Sequence, residues 1–425
     1  MKKFYIEGGH ELEGTVKVSG AKNAALPIIS AALLGSGPSR LEDIPNLRDV
    51  RNLANIIGKM GARVNYDNNI MEIDPRTLEH FATDPELAGK IRASYYMLGV
   101  MLARVGQART SLPGGCSIGN RPIDLHLKGF KALGAEVDIS QGFVELQAEK
   151  LKGSRIYLDY PSVGATINIM LAATGAEGQT IIENAAREPE IVDLANYLTV
   201  MGANIKGVGT DVIRIEGEEE LQGEEHRIIP DRIEAGTYII AGALMGKDIY
   251  VKNVLVEHIK PLLAKLEEMG VALEEDIAGV RVAAPEKLES VDIKTLPYPG
   301  FPTDLQAQMM VLLTQADSAS VVTETVWEDR FRHVEELKSM GARINLDDNS
   351  ALVKPARLNG ADVTATDLRA GAALILAGLK AEGVTSVDNI GHVERGYEDI
   401  EEKLTGLGAE IERAEETIER QVTTA

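Results

Sequence analysis

Six stretches of the chain are apolar nearly all the way round a helical wheel: residues 23–34, 92–104, 164–174, 233–245, 304–314 and 367–379. Ala, Gly, Leu, Ile and Met dominate them, at helix length. A helix that is apolar on every side is buried, whereas a surface helix shows a single apolar stripe. After most of these stretches comes a β-rich segment: 39–44, 179–184, 248–253, 320–325 and 385–389. A charged helix with one apolar face follows, and then another strand. Short strands are predicted ahead of several buried helices, at 15–19, 155–159, 227–230 and 362–365. Each unit therefore reads β-α-β-α-β-β.

The end of each charged helix repeats almost word for word. It is IIGKMGARVNY at 56–66, FKALGAEVDI at 130–139, LTVMGANIKG at 198–207, LEEMGVALEE at 266–275, LKSMGARINL at 337–346 and LTGLGAEIER at 404–413. The glycines Gly61, Gly134, Gly202, Gly270, Gly341 and Gly408 recur at intervals of 67 to 73 residues. A glycine between a helix end and an alternating strand takes the left-handed position that closes the helix. Six copies at near-constant spacing mark an internal repeat. Three units around one helical core make a domain of ordinary size, and two such domains fit 425 residues. The expected fold is α/β: two domains, each of three βαβαββ units around buried parallel helices. One domain is expected over 20–229. The other is expected over 1–19 plus 230–425, the N-terminus completing its last unit. Ligands in such folds tend to sit between domains, so a cleft there is the expected active site.

Composition narrows the partners. Lys and Arg total 44 against 65 Asp and Glu, a formal net charge of −21. That surface repels nucleic acid and anionic lipid at long range, and 4% aromatic residues are too few for a base-stacking platform. A single cysteine excludes a disulfide framework and cysteine-rich metal sites. The start, Met1-Lys2-Lys3, leads into an apolar run that stops at Glu7, too short for a signal peptide. The longest apolar runs, 235–245 and 370–379, are too short to span a bilayer. A cytoplasmic protein is expected, with monomer as the default state. His10, His80, His226, His258, His333 and His392 show no metal-ligand spacing, and no phosphate-binding loop or dinucleotide fingerprint is present. No metal and no cofactor are expected. The acidic runs 216–225 and 398–419 read as solvated faces or tails.

Two places carry candidate chemistry. The first is the set of buried-helix starts: Lys22-Asn23, Arg92, Ser162-Val163-Gly164, Asp231-Arg232, Asp304, and Asp367 with Arg369. Helix N-termini offer partial positive charge and free N–H groups, which suit an anionic ligand. Lys and Arg there oppose the dipole and need a reason. Simple N-capping is the plain reading for Asp231, Asp304 and Asp367. The second is LPGGCSIGNRPIDLHLK at 112–128. Its glycines and prolines mark a mobile loop, and Cys116 lies in it with Arg121 near. A cationic, exposed setting lowers a thiol pKa and favours a reactive cysteine over a buried one. A Cys–His hydrolase using His126 is an alternative, although no local signature of that class appears.

The motifs SGAKNAALP (19–27), LPGGCSIGNRPIDLH (112–126), ENAAREPEIVDL (183–194), PDRIEAGT (230–237), FPTDLQAQ (301–308), TETVWEDRF (323–331), ATDLRA (365–370) and ERGYEDIEEKL (394–404) closely resemble the UDP-N-acetylglucosamine 1-carboxyvinyltransferases. These are the enolpyruvyl transferases that start peptidoglycan precursor synthesis. The resemblance spans nearly the whole chain and implies the family's fold of two three-unit domains. It implies transfer of an enolpyruvyl group from phosphoenolpyruvate to the 3′-hydroxyl of UDP-N-acetylglucosamine, with release of phosphate. On the resemblance, Cys116 is the general acid, and Asp304 is the base or orienting carboxylate near the 3′-hydroxyl. Lys22, Asn23, Arg92, Arg121, Arg330 and Arg395 match the phosphoenolpyruvate site, Lys22 also acting in catalysis. Forked guanidiniums suit carboxylate and phosphate. Asn23 and Asp304 match the sugar site, Arg92 also matches the UDP-N-acetylglucosamine site, Arg121, Pro122, Ile123, Asp124 and Leu125 match the uridine segment, and Ser162, Val163 and Gly164 the diphosphate loop. Val326 matches a backbone contact to the sugar. Glu188, Asp231, Arg232, Asp367 and Arg369 are carried over as supporting residues. Some members have lysine where this chain has Tyr160, so a side-chain cation on the diphosphate is not expected there. The tail beyond about Arg413 is longer and more acidic than the family suggests. A 5-enolpyruvylshikimate-3-phosphate synthase-type transferase, or a non-catalytic UDP-sugar binder, is the alternative.

Overall fold

A computed structural model of the chain describes residues 2–112 and 123–415. Within it the described chain divides into two compact units. The amino-side unit holds residues 19–112 and 123–231; the carboxyl-side unit holds 2–18 and 232–415. The chain crosses from one to the other after Val18 and again after Asp231.

The six apolar stretches form the central helices. They are Lys22–Ala31, Tyr96–Val105 and Val163–Ala173 in the amino-side unit, and Arg232–Met245, Gln306–Leu313 and Leu368–Lys380 in the carboxyl-side unit. From Ile233 to Met245 and from Arg369 to Leu379 every residue is buried. In the carboxyl-side unit the three helices pack on one another; in the amino-side unit Tyr96–Val105 packs on both its neighbours. Small residues permit that approach. A Cβ at Gly99 would lie 2.5 Å from the carbonyl oxygen of Asn168 on the facing helix. The two units have separate apolar cores. No helix among the described residues is long and apolar enough to cross a membrane.

Among the described residues, six small sheets surround the helices, five of four strands and one of three. In the four-stranded sheets one edge strand runs parallel to its neighbour and the remaining pairs are antiparallel. All six repeat glycines have positive φ, between 83° and 114°, at the junction of charged helix and strand. The exception among the sheets pairs Gln107–Ser111, Phe143–Gln147 and Glu136–Ser140. Its parallel edge is reduced to a bridge between Ala82 and Arg109.

Two expectations change. The strand expected at 15–19, ahead of the first buried helix, is Leu12–Lys17, and it pairs in parallel with Gly246–Lys252 of the fourth unit. The strand expected at 227–230, ahead of the fourth helix, is Glu225–Arg227, and it pairs in parallel with Ser39–Glu42 of the first unit. Each crossing strand thus belongs to the sheet it leaves, not to the helix it precedes. The acidic stretch 398–419 is also not simply a solvated tail. Glu410–Glu415 forms an edge strand on Lys2–Glu7, which lies inside the last sheet between it and Val384–Asp388.

Candidate active site

Asp304 sits in a single 3-10 turn, Thr303–Leu305, that leads into the helix Gln306–Leu313. It caps nothing; its carboxylate is held by two arginines from other elements. Arg330 Nη2 donates to Oδ1 at 2.6 Å and Arg369 Nη2 to Oδ2 at 3.0 Å. Both arginines are buried, at 3% and 4% exposure. Burial alone would raise the Asp304 pKa. The guanidiniums of Arg369 and Arg330, with Arg232 nearby, outweigh it and hold the carboxyl well below the usual carboxylate range. Asp304 is therefore held in its charged form near neutral pH.

The arginines are themselves positioned. Asp367 caps the helix Leu368–Lys380, its Oδ1 accepting from the backbone N–H of Arg369 (2.9 Å) and Ala370 (3.1 Å). The Arg369 guanidinium lies over the Tyr397 ring, 5.5 Å from its centroid. Tyr397 follows the 3-10 segment Ile390–Arg395, which ends in Arg395 and packs on the same helix. Its hydroxyl lies 2.8 Å from Thr237 Oγ1, and Gln308 Nε2 donates to it at 3.2 Å. Thr237 Oγ1–H donates to the Ile233 carbonyl, so the Tyr397 hydroxyl is the donor to Thr237. Gln308 Nε2 also donates to the Asp304 carbonyl at 3.0 Å. One buried knot thus joins all three central helices beneath the Asp304 turn. Glu234, in the first turn of Arg232–Met245, is paired with Lys403 at 2.6 Å.

Val326 lies in a turn organised by Glu324. The Glu324 carboxylate accepts from Val326 N–H at 2.8 Å and Trp327 N–H at 3.2 Å. The expected backbone contact at Val326 must therefore use its carbonyl.

In the amino-side unit the expected residues stand at helix starts. Lys22 begins the first central helix, with Asn23 next and exposed. Two buried carboxylates offset the misplaced cation. Lys22 Nζ is 3.7 Å from Asp49 Oδ2, and Lys22 N–H donates to Asp231 Oδ2 at 3.3 Å. Asp231 thus reaches back to the start of the first central helix. Ser162 caps Val163–Ala173, its Oγ accepting from Ala165 N–H at 3.3 Å, so Val163 and Gly164 occupy the first turn. Ile123 precedes the helix Asp124–Ala132, which carries Asp124 and Leu125 at its start. Glu188 precedes the helix Pro189–Val200. Arg92 opens the 3-10 turn Arg92–Tyr95, and Tyr160 is exposed. Cys116, Arg121 and Pro122 lie outside the described residues.

Burial and the positive charge of Arg92 push His126 down to about 3. Gly99 N–H donates to Asn168 Oδ1, so the Asn168 amide nitrogen faces the Tyr95 carbonyl and His126 Nδ1, each at 2.9 Å. Nδ1 is then an acceptor and the ring proton sits on Nε2. His126 is a neutral core histidine beside the Gly164 turn, and a ring held so far below its usual pKa is too weak a base to form the imidazolium of a Cys–His pair.

Asp49, Thr237, Gln308, Glu324 and Tyr397 are among the residues of this arrangement that escaped the sequence reading. Glu324 alone left a local signal. It follows an alternating strand on the same inward face as buried Val322, where a charged residue is out of place.

Residues 6–404 match the family described as EPSP synthase (3-phosphoshikimate 1-carboxyvinyltransferase). The chain is 71% identical over 413 residues to the UDP-N-acetylglucosamine 1-carboxyvinyltransferase of Halothermothrix orenii, covering 97% of this chain and all of that one. It is 56% identical to UDP-N-acetylglucosamine 1-carboxyvinyltransferase 1 of Caldanaerobacter subterraneus subsp. tengcongensis, over 97% and 99% of the two chains. Among solved structures, the enolpyruvyl transferase NikO from Streptomyces tendae superposes with a TM-score of 0.90 at 29% identity, covering 97% of this chain and 98% of that one. EPSP synthase from Acinetobacter baumannii, at 17% identity over 98% of this chain and all of its own, shares the fold with a TM-score of 0.77. The six-fold βαβαββ repeat, the two units and the full-length matches together show that the chain belongs to the EPSP synthase family of carboxyvinyl (enolpyruvyl) transferases.

Proposed function

We propose that this transferase moves the enolpyruvyl group of phosphoenolpyruvate to the 3′-hydroxyl of UDP-N-acetylglucosamine and releases phosphate. This would be the first committed step of peptidoglycan precursor synthesis, carried out in the cytoplasm. The observation that carries the acceptor assignment is the 71% identity, end to end, with a relative of that name. The bond changes constrain the residues. The sugar oxygen bonds to C2 and loses its proton while C3 gains one; phosphate then leaves as C3 gives a proton back. Cys116 is the proton donor to C3 in this reading. Asp304 accepts or orients the 3′-hydroxyl, and its standing negative charge supports that part. A cation-like C2 beside a phosphate dianion needs fixed charges, and preorganised arginines supply them without reorganisation. Arg330 and Arg395, with Lys22, Arg92 and Arg121, would hold the donor. Arg369, Arg232, Asp367, Asp231 and Glu188 would support them. Asn23, Ile123, Asp124, Leu125, Pro122, the Ser162–Gly164 turn and the Val326 carbonyl would hold the acceptor.

A phosphate-release assay tests the reading. The chain should turn over phosphoenolpyruvate with UDP-N-acetylglucosamine and not with shikimate 3-phosphate; the reverse preference would sink the assignment. Cys116→Ala should lower turnover by roughly a hundredfold or more, and Cys116→Asp should recover part of it, because a carboxylic acid can also donate a proton.

A further inference from the structure

Glu324 is 2% exposed, and none of its bonds is to a cation. Oε1 accepts from Thr295 Oγ1–H at 2.8 Å as well as from Val326 and Trp327 N–H. Oε2 accepts from Thr303 Oγ1–H at 2.9 Å. A buried carboxylate without a countercharge is costly unless donors satisfy it, and four donors converge here. Those donors come from three separate pieces of backbone. Thr295 begins a side loop and is locked to Thr325, whose hydroxyl donates to the Thr295 carbonyl at 2.6 Å. Val326 and Trp327 form the turn expected to meet the sugar. Thr303 is the residue immediately before Asp304, and its carbonyl also accepts from Arg330 Nη2 at 3.4 Å. A loop cap needs only the Val326 and Trp327 bonds; the reach to Thr303 goes beyond capping.

We infer that Glu324 is a positioning residue that fixes the Asp304 turn and the Val326 turn in register, so that the acceptor sugar and the carboxylate facing its 3′-hydroxyl are set by one buried anchor. The inference rests on the function proposed above. Thr303 is its cleanest probe, because a Thr303→Val change keeps the shape and removes only the hydroxyl that ties the Asp304 turn to Glu324.

The test is steady-state phosphate release by the full chain, with the KM of each substrate determined. Thr303→Val should lower kcat tenfold or more and leave both KM values within about twofold, since misplacing a reacting group costs rate more than affinity. Thr303→Ser, which restores the hydroxyl, should recover most of the loss. Glu324→Ala should also lower kcat and should raise the KM for UDP-N-acetylglucosamine about tenfold, without a matching rise for phosphoenolpyruvate. Unchanged kcat in Thr303→Val would overturn the proposal, as would an equal loss in the Ser variant. Should the Glu324→Ala chain fail to fold, the Thr303 pair decides the matter alone. No turnover by the unchanged chain would overturn the proposed function, and this inference with it.

Discussion

The Asp304 carboxylate is half-buried and the His126 imidazole buried, and their surroundings act in opposite ways. Two guanidiniums stabilise the charged form of Asp304 more than burial penalises it. Nothing compensates His126, where burial and the Arg92 charge both favour the neutral ring. His333 is similar: burial pushes it down to about 4, Arg330 adding to the effect and Asp367 opposing it. The signs determine how the protein meets acid. A histidine whose folded pKa lies below the unfolded value binds fewer protons folded than unfolded, so stability falls as pH drops below about 6.5. For His126 the loss continues down to about 3. Asp304, held below the usual carboxylate range, adds its own loss only towards the acid end of that window, below about pH 4, where the unfolded carboxyl takes up a proton and the folded one does not. At pH 4.5 the His126 contribution is about 2–3 kcal/mol of lost stability, or roughly 5–10 °C in Tm for a unit of this size. His126→Gln, which cannot titrate, should therefore shrink the Tm difference between pH 7 and pH 4.5 by that amount, whatever it does at pH 7. An unchanged difference by scanning calorimetry would show that the ring is not held neutral.

Between residue and domain lies the repeated unit, and its second signature is an asparagine. Asn184, Asn253 and Asn389 end the central strands of three units, all with left-handed φ of 54° to 65°. Each side-chain amide donates back to a carbonyl beside the parallel edge strand: Leu158 at 2.8 Å, Val18 at 2.9 Å and Ala365 at 3.3 Å. Asparagine suits both tasks, since it tolerates the left-handed region and carries a donor. Asn253→Ala should cost about 2 kcal/mol, one part for the strained backbone and one for the lost bond. Asn253→Gly should cost about half of that, because glycine removes the strain alone. Equal losses in urea unfolding would mean that the backbone geometry contributes nothing. The helix-end glycines were legible in sequence because one local conformation demands them. The asparagines share that logic but sit in varied contexts, so their recurrence is faint. Asp304 and Arg369 stood out as charged residues at buried-helix starts, whereas Arg330 was legible only as a match to a family. What joins them, the Tyr397–Gln308–Thr237 knot and the Glu324 anchor, depends on side chains up to 160 residues apart, beyond the reach of any local pattern.

At the scale of the whole molecule, the strand exchange is the largest departure from a linear reading. Periodicity marks Leu12–Lys17 and Glu225–Arg227 as strands but cannot say which sheet receives them, because a ladder partner is set by the path of the chain. Charge is distributed in a similarly non-local way. The net −21 belongs largely to exposed carboxylates, whereas Arg330 and Arg369 are buried around one aspartate. The exchange has a consequence for folding. Phe4, Ile6, Leu12, Val16 and Val18 are all buried in the core of the carboxyl-side unit, 200 residues or more ahead of the rest of it. Burying five such side chains is worth about 7–15 kcal/mol, comparable with the whole net stability of a domain at about 5–15 kcal/mol. Residues 232–425 produced alone should therefore fail to fold. The same residues followed directly by residues 1–18 should fold, because Lys2 lies opposite Glu415 in the last sheet, which places the new junction beside an existing antiparallel pair. Residues 19–231 carry their own exchanged strand, Glu225–Arg227, and should fold without help. Far-UV circular dichroism and urea unfolding of the three chains decide it. Cooperative unfolding by 232–425 without the N-terminal strands would show that they are peripheral to this unit.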